Sequence, residues 1–547
     1  MILTDLLIAP YRPEWKFVNK TRIKSGYVKL VSSNKIYDIN EMIKKILKHE
    51  ETLINNYDCN EKTEDRNIRE LLLHNLQWES RRFFGFHGLV ASFSLAKELE
   101  IALCYPLKKN WHNLFITSGS QLNKFVCGVM WNITVLQKMV SSQIKCLQFL
   151  IHAFKKNTNI AKIKNVENEK FLYIPNLLNG HFSEHENATS FNFINWLKYN
   201  RYPNQKLNIL HSNKSYRNCS NLNESVELTY IDLKWRWNNK PLKDFFLRAR
   251  LLLKIQFKYI LSTQRKLSAL HQFDIFQAEY IENQLPNIIE YVLFDQSRII
   301  DKPLWATYLE KKNVSNILFF YALAAEPAWD NGEEFFPSYW LAAQWKEFWA
   351  IDQIQKDKII GIRTEPEPNI KIIGVPYWID SPIKPNKITN SISLFDSEPQ
   401  KNMFFLSNII GLGLYEKQFY KPFFQDILER AKFYDFRILH KSKRSTGKRI
   451  EGFYDEILNE IRSKYKNHYS IIDYSVSPQK LLSNSIGSIS QPISTVALIS
   501  KALHLPTIFY DPMQCINVND KEVRGIFIAN STKKLDDWFQ DLRKEYA

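Results

Sequence analysis

Cysteine is sparse in this chain and nowhere paired in sequence. Cys59, Cys104, Cys127, Cys146, Cys219 and Cys515 are widely spaced, with no C-x-x-C element. That argues against a zinc site or a disulfide framework and fits a reducing compartment. Long apolar runs are also missing. The nearest candidates, Phe125 to Val140 and Cys146 to Phe154, are broken by Asn, Gln and Lys, so no membrane-spanning helix is expected. The opening MILTDLLIAPYRPEW carries no basic leader region before its short apolar run, and no signal peptide is expected. Glycine is scarce, at 15 residues, while Asn, Ile and Lys abound; this reflects A/T-rich coding and says little about function. No internal repeat and no long low-complexity segment interrupts the chain.

What is present is a large, basic, well-filled chain. Its 547 residues exceed what one core supports and imply two or three domains. A hydrophobic content of 45% with 14% aromatics is ample for globular burial. The net charge of +17 favours polyanionic partners: nucleic acid, an anionic membrane, or phosphorylated substrates.

Three regions follow from the patterning. Residues 1–165 read as mainly helical, with Glu61 to Asn75, Leu89 to Ile101 and Gln121 to Lys156 as the candidate stretches. The last has basic ends, which fits either a buried helical hairpin or a surface lying on an anionic membrane. Residues 166–380 alternate strand and helix. Strands are expected at Phe171 to Ile174, Leu207 to Leu210, Val226 to Leu233, Ile317 to Leu323, Ile359 to Ile362 and Ile372 to Val375. Helices are expected at Phe191 to Tyr199, Leu242 to Gln264 and, Trp-rich, Tyr339 to Gln355. A proline cluster, Pro376 to Pro385, marks a boundary. Residues 381–547 alternate again, through strands at Ile388 to Phe395, Arg437 to His440, Ile471 to Tyr474 and Gly525 to Ile528, and a closing helix Leu535 to Glu545. Such alternation predicts an α/β chain with parallel sheets covered by helices on both faces.

The most informative stretch is Ser485 to Pro512, SIGSISQPISTVALISKALHLPTIFYDP. It reads as a buried strand (Ile486 to Ser490), a turn at Pro492, a helix opening at Ser494 and Thr495, and a second strand (Thr507 to Tyr510). Pro and Ser/Thr belong at helix starts. The turn aims unpaired N–H groups and two hydroxyls at one point, which suits a phosphate. An ordinary helix cap with no ligand has the same signature.

This segment resembles the signature of the bacterial polysaccharide-biosynthesis PFTS-motif proteins. Gln491-Pro492-Ile493-Ser494-Thr495 stands where that family has Pro-Phe-Thr-Ser, with Ile for Phe and the hydroxyl pair inverted, and the Tyr510-Asp511-Pro512 end is intact. Upstream, Ile392-Ser393-Leu394-Phe395-Asp396-Ser397 with Glu398-Pro399 is similar to the family's opening C-terminal strand. Leu439-His440-Lys441-Ser442-Lys443-Arg444 is similar to its basic strand end. The resemblance implies a glycosyltransferase of the GT-B type: two facing Rossmann-like domains, the second (381–547) holding a nucleotide-sugar donor, the first (166–380) the acceptor, with an additional helical N-terminal region.

In doubly wound sheets ligands sit at the carboxyl ends of strands. Lys441, Lys443 and Arg444 follow one such end, Asp473 and Ser475 a second, Ser490, Ser494 and Thr495 a third. Together they would form a cationic, hydroxyl-rich donor site able to meet the charge of a departing phosphate. The basic cluster also continues to Lys448-Arg449 and fits a solvated turn. No DxD-like acidic pair stands beside these strands, so a metal-independent reaction is expected, with no cofactor. The general base is expected from the first domain, and Asp330 in Trp329-Asp330-Asn331-Gly332 is the best candidate. It resembles the acidic pair before Gly in bacterial GT-B sialyltransferases, with Asn331 replacing one acid. Glu326, Glu333 and Glu334 compete with it, and Asp330 also fits a turn before Gly. Those enzymes place a Ser/Thr pair on the donor phosphate and carry a His-Pro element; here Ser477-Pro478 stands in the latter's place. Trp329, Trp340, Trp345 and Trp349 fit sugar stacking or, for the last three, core packing.

The expected activity is an inverting glycosyltransferase of capsule or lipopolysaccharide synthesis using a CMP-activated nonulosonate. The alternatives are a UDP- or GDP-hexose transferase, a basic nucleic-acid-binding protein, or a non-catalytic scaffold. The basic residues are dispersed among acids and form no nucleic-acid motif, so nucleic acid is not expected as a partner. A glycan or lipid-linked glycan acceptor and an anionic membrane surface are. The expected location is cytoplasmic, peripheral on the inner membrane.

Overall fold

The computed structural model describes residues 27–29, 36–38, 74, 101–104, 115–118, 121–155, 171–175, 193–214, 221–223, 225–234, 240–261, 271–285, 288–296, 302–323, 345–362, 368–375, 390–399, 414, 417–441, 450, 452–473, 476 and 478–546. Two antiparallel strand pairs come first: β1 (Tyr27–Lys29) with β2 (Ile36–Asp38), and β3 (Ile101–Cys104) with β4 (Phe115–Ser118). A single long helix, α1 (Gln121–Ile151), follows. One unbroken helix thus rules out the hairpin, one of the two readings of this stretch.

The first large sheet has eight strands. They are β5 (Phe171–Ile174), β6 (Leu207–His211), β7 (Asn221–Asn223), β8 (Val226–Tyr230), β9 (Ile289–Asp295), β10 (Ser315–Phe319), β11 (Glu347–Ala350) and β12 (Asn369–Ile372). Their order is β12-β11-β10-β9-β5-β6-β8-β7, parallel throughout except for the β7–β8 edge pair. Its helices are α2 (Phe193–Arg201), α3 (Pro241–Leu261), α4 (Gln272–Glu282), α5 (Leu304–Glu310) and α6 (Gln353–Ile362). The central strands are buried on both sides, as β6 is along its whole length. Covered parallel strands therefore read as continuous apolar runs. Two sequence expectations fail here. Trp345 and Trp349, four apart, suggested a helix, but Glu347–Ala350 is a fully buried strand. Ile359 to Ile362, expected as a strand, is the end of α6, whose inner face buries Gln355, Lys358 and Ile359.

The second sheet has six strands: β13 (Ser391–Phe395), β14 (Arg437–Lys441), β15 (Tyr469–Ile472), β16 (Gly487–Ser490), β17 (Thr507–Tyr510) and β18 (Phe527–Ala529). All pairs are parallel, in the order β15-β14-β13-β16-β17-β18. Numbered from its own first strand this is 3-2-1-4-5-6, the Rossmann order. The helices are α7 (Lys417–Phe433), α8 (Gly452–Lys464), α9 (Pro478–Ser483), α10 (Thr495–Ala502) and α11 (Thr532–Tyr546). α7 buries Phe419, Tyr420, Phe423, Phe424, Ile427, Leu428 and Ala431, the three-and-four spacing of one helical face. Gly487 opens β16 because a Cβ there would stand 3.2 Å from the Pro506 carbonyl and 3.3 Å from the Trp538 ring.

Candidate active site

The switch in strand order of the second sheet lies between β13 and β16, and a ligand crevice opens outside the carboxyl ends of such a pair. Gln491, just past β16, ties the two ends together. Its backbone N–H donates to the Phe395 carbonyl (2.9 Å). Its side-chain oxygen accepts from the Ser397 N–H (2.7 Å) and its amide donates to the Leu414 carbonyl (2.8 Å). Ile493 then adopts φ +61°. A β-branched residue in the left-handed region costs about 1–2 kcal/mol, and such strain persists where surrounding structure holds it for a purpose. The turn delivers Ser494 in extended geometry as the N-cap of α10, yet its side chain makes no capping bond.

The face of β16 beneath α10 is polar. The Ser488 hydroxyl is 2.7 Å from that of Ser500 and 3.1 Å from that of Thr507. Strand alternation puts Ser490 on the same face, one step nearer the start of α10. Its hydroxyl is fully buried and has no hydrogen-bond partner, which is costly unless something satisfies it. An orphan hydroxyl, a strained turn and an uncapped helix N-terminus thus converge on one point.

On the other side of the switch, Asp396 is the centre of a buried network. One carboxylate oxygen lies 3.1 Å from His440 Nε2, the other accepts from the Tyr454 hydroxyl at 2.6 Å, and His440 Nδ1 is 2.6 Å from the Tyr469 hydroxyl. Burial, then the Asp396 charge, raises the pKa of both tyrosines. They stay protonated donors and fix the rim formed by β13 and β14.

The first sheet turns its own carboxyl rim toward this point. Beyond β10, the Ala322 N–H donates to the Gln296 side chain (3.0 Å) and the Leu323 N–H donates to the Thr495 hydroxyl oxygen (3.0 Å). The Leu323 carbonyl accepts from Gln355 (2.7 Å), whose side-chain oxygen in turn accepts from the Ile351 N–H (2.8 Å). Leu498 of α10 packs against the cores of both sheets. Beside this contact, Arg524 pairs with Asp352 (2.5 Å) and Glu522 (2.7 Å), and Lys358 lies 3.4 Å from Glu522. The carboxyl ends of the two sheets therefore meet at α10. Because Thr495 accepts from Leu323, its hydroxyl proton remains available to a ligand oxygen.

The sequence profile of the polysaccharide biosynthesis PFTS motif proteins matches residues 260–539, more than half of the chain. The chain belongs to this family. No curated protein matches it. Among solved structures, this PFTS motif protein is similar to the UDP-GlcNAc 2-epimerase from Methanocaldococcus jannaschii. The identity is 12% and the TM-score 0.38, over 68% of this chain and 92% of that one. It is also similar to TarM (10%, TM-score 0.37, 70% and 97%) and to Anabaena Alr3699/HepE in complex with UDP and glucose (8%, TM-score 0.36, 68% and 89%).

The strand order of this PFTS motif protein sorts its expected donor residues. Ser490, Ser494 and Thr495 stand together at the switch. Lys441 ends β14 and is buried, two strands from β16 or roughly 10 Å away at the usual strand spacing. Asp473 is exposed beyond the edge strand β15, a further strand out, and is the least central of the group. Lys443, Arg444, Ser475 and Asp330, like Glu326, Glu333 and Glu334, lie outside the described residues. Sequence reasoning missed Gln491 as the tie between strands and Asp396 with His440 as the rim network. Glu398-Pro399 was noticed only as a motif. It also missed β9, and so missed Asp295 at its carboxyl end, and His211 at the end of β6. Both are buried on the first rim, and burial lowers the pKa of His211 to about 4.

Proposed function

We propose that this PFTS motif protein is an inverting glycosyltransferase of bacterial surface polysaccharide (capsule or lipopolysaccharide) synthesis that takes its sugar from a nucleotide donor. The observation that carries the reading is the meeting of two carboxyl rims at α10, with the N-terminus of that helix, Ser490, Ser494 and Thr495 at the switch point of a Rossmann-ordered sheet. A diphosphate or phosphate placed there receives helix N–H groups and hydroxyl donors. Lys441, with Lys443 and Arg444 after it, supplies positive charge as the leaving phosphate becomes more anionic. Asp473 and Ser475 line the outer end of the donor site. Asp330, from the first unit, takes the acceptor proton on the face opposite the leaving group, which inverts the anomeric centre. With charge neutralised by helix and cations, the reaction proceeds without a metal. The favoured donor is a CMP-activated nonulosonate, on the resemblance of Ser494-Thr495 and Asp330 to sialyltransferase elements. A UDP- or GDP-hexose is the second reading, favoured by Ser477-Pro478 where those enzymes have His-Pro. The acceptor is a glycan or lipid-linked glycan, and the protein works from the cytoplasmic side, peripheral on the inner membrane.

A thermal-shift and calorimetric panel of CMP, UDP, GDP and single-stranded DNA tests this. One nucleotide should stabilise the protein and DNA should not. Silence toward every nucleotide, or a response to DNA alone, ends the donor-site reading. Turnover abolished by a chelator and restored by a divalent ion ends the metal-independent part.

A further inference from the structure

We infer that the outer faces of α1 and α3 together form a docking surface for an anionic phospholipid bilayer. On α1, Leu136, Val140, Ile144, Leu147 and Ile151 are 50–62% exposed. Their spacing of three and four residues puts them on one face. The opposite face is core: Cys146 and Phe149 are buried, and the Phe149 ring meets Phe273, Phe276 and Tyr280 of α4 edge-on. α3 repeats the design, with Leu242, Phe246, Leu253 and Phe257 59–66% exposed.

A buried polar network fixes the two helices against one another. The Arg248 guanidinium, fully buried, donates to Asp244 (2.8 Å), to the Phe149 carbonyl of α1 (2.6 Å), to the Lys234 carbonyl (2.9 Å) and to the Tyr280 hydroxyl (3.0 Å). Tyr280 closes the ring onto Asp244 (2.8 Å). Neither helix can roll its apolar stripe inward without leaving that charge pair unsatisfied, which is strongly disfavoured. The two stripes are held outward as one platform.

Charge decides the occupant. α1 contains no Asp or Glu, and the one acid of α3, Asp244, is buried under Arg248. The exposed described charges on and beside the two helices, Lys145, Lys155, Lys234, Lys240, Lys243, Arg250 and Lys254, are all positive, and the neighbouring acids Asp274 and Glu279 are partly buried and paired with Lys138 and Lys254. A recess lined by Lys145, Gln148, His152 and Lys234 opens next to the α1 stripe and offers a cationic place for a lipid phosphate. A second copy of this chain would bring cations against cations. An apolar stripe whose exposed described charges are Lys and Arg is complementary to acyl chains under anionic headgroups. No helix among the described residues is long and apolar enough to cross a membrane, so the pair lies in the interface. The surface is separate from α10 and stands whether or not the donor-site reading holds.

Flotation of the full chain with phosphatidylcholine vesicles, with and without phosphatidylglycerol, tests the inference on two variants. One replaces Leu147, Ile151, Phe246 and Phe257 with Gln, the other Lys145, Lys243, Arg250 and Lys254. Wild type should float with phosphatidylglycerol vesicles. The apolar variant should lose that binding while keeping its melting temperature, because the replaced side chains are solvent-facing. The cation variant should bind at least about 100-fold more weakly, at roughly fivefold per cation. Failure of wild type to float, or unaltered flotation of either variant, overturns the proposal. So does a dimer in sedimentation velocity that the apolar variant dissolves.

Discussion

The two sheets share a plan and differ at their rims. At the carboxyl end of the second, described residues offer a lysine, three hydroxyls and a helix N-terminus suited to an anion, beside the buried carboxylates of Asp396, Glu398 and Asp511. At the carboxyl end of the first stand His211 and Asp295, both buried, with His211 held neutral. The difference teaches a division of labour. One rim gathers hydroxyls and a helix N-terminus at the switch and keeps its carboxylates Asp396 and Asp511 in buried hydrogen bonds, whereas the other ends two of its central strands in His211 and Asp295. Among the described residues the two touch through the Leu323–Thr495 hydrogen bond, the Arg524–Asp352 and Lys358–Glu522 pairs and Leu498.

The largest effect should come from the base. Asp330→Asn is expected to lower turnover by about 10²–10⁴-fold while leaving donor affinity in place. Wild-type turnover in that variant would move the role to Glu326, Glu333 or Glu334, or to Asp295. Next, Arg524→Met removes the cation between Asp352 and Glu522, leaving Glu522 to Lys358 alone (3.4 Å) and Asp352 without its cross-unit partner. A loss of about 1–3 kcal/mol is expected, read as a lower melting temperature in calorimetry. An unchanged melt would mean the rims are coupled by α10 alone.

His211 gives a pH test of the first rim. Burial puts its folded pKa at about 4, below its ordinary 6.5. Between those values the unfolded chain binds a proton that the folded chain refuses. Stability should therefore fall as pH drops through that window, by on the order of 2–3 kcal/mol at its lower end. His211→Asn should flatten that part of the urea-melt profile; an identical slope would assign it to other groups. The smallest effect, about 1–3 kcal/mol in nucleotide affinity, is expected for Ser494→Ala with Thr495→Ala. If calorimetry shows the variant's affinity unaltered, the pair is a joint between units and nothing more.

The second sheet was far more legible in the sequence than the first. Arg437 to His440, Thr507 to Tyr510 and the helix opening at Thr495 fall within a residue of their observed positions, because Pro, Ser and Asp punctuate short apolar runs there. In the first sheet, Ile289–Asp295 is a buried central strand with no alternation to mark it. The four-residue spacing of Trp345 and Trp349 imitates a helix. What the site needs but sequence does not display is register. The closeness of Asp396 to His440 is created by strand order, and that of Leu323 to Thr495, 172 positions apart, by the packing of one rim against the other. The positive φ of Ile493 was equally hidden, since Ile is the wrong residue to suggest it.

Leu498 is shared by two cores, and this restricts how the molecule can open. Prising the units apart at α10 would expose that side chain, at most about 1.5–3 kcal/mol, and break the Thr495 bond, about 1 kcal/mol more. It would also break the Arg524–Asp352 and Lys358–Glu522 pairs, so the units are held at several places at once. The N-terminus of α10 therefore sits at the least yielding part of the joint. Whatever binds there would be held where the two units part least readily.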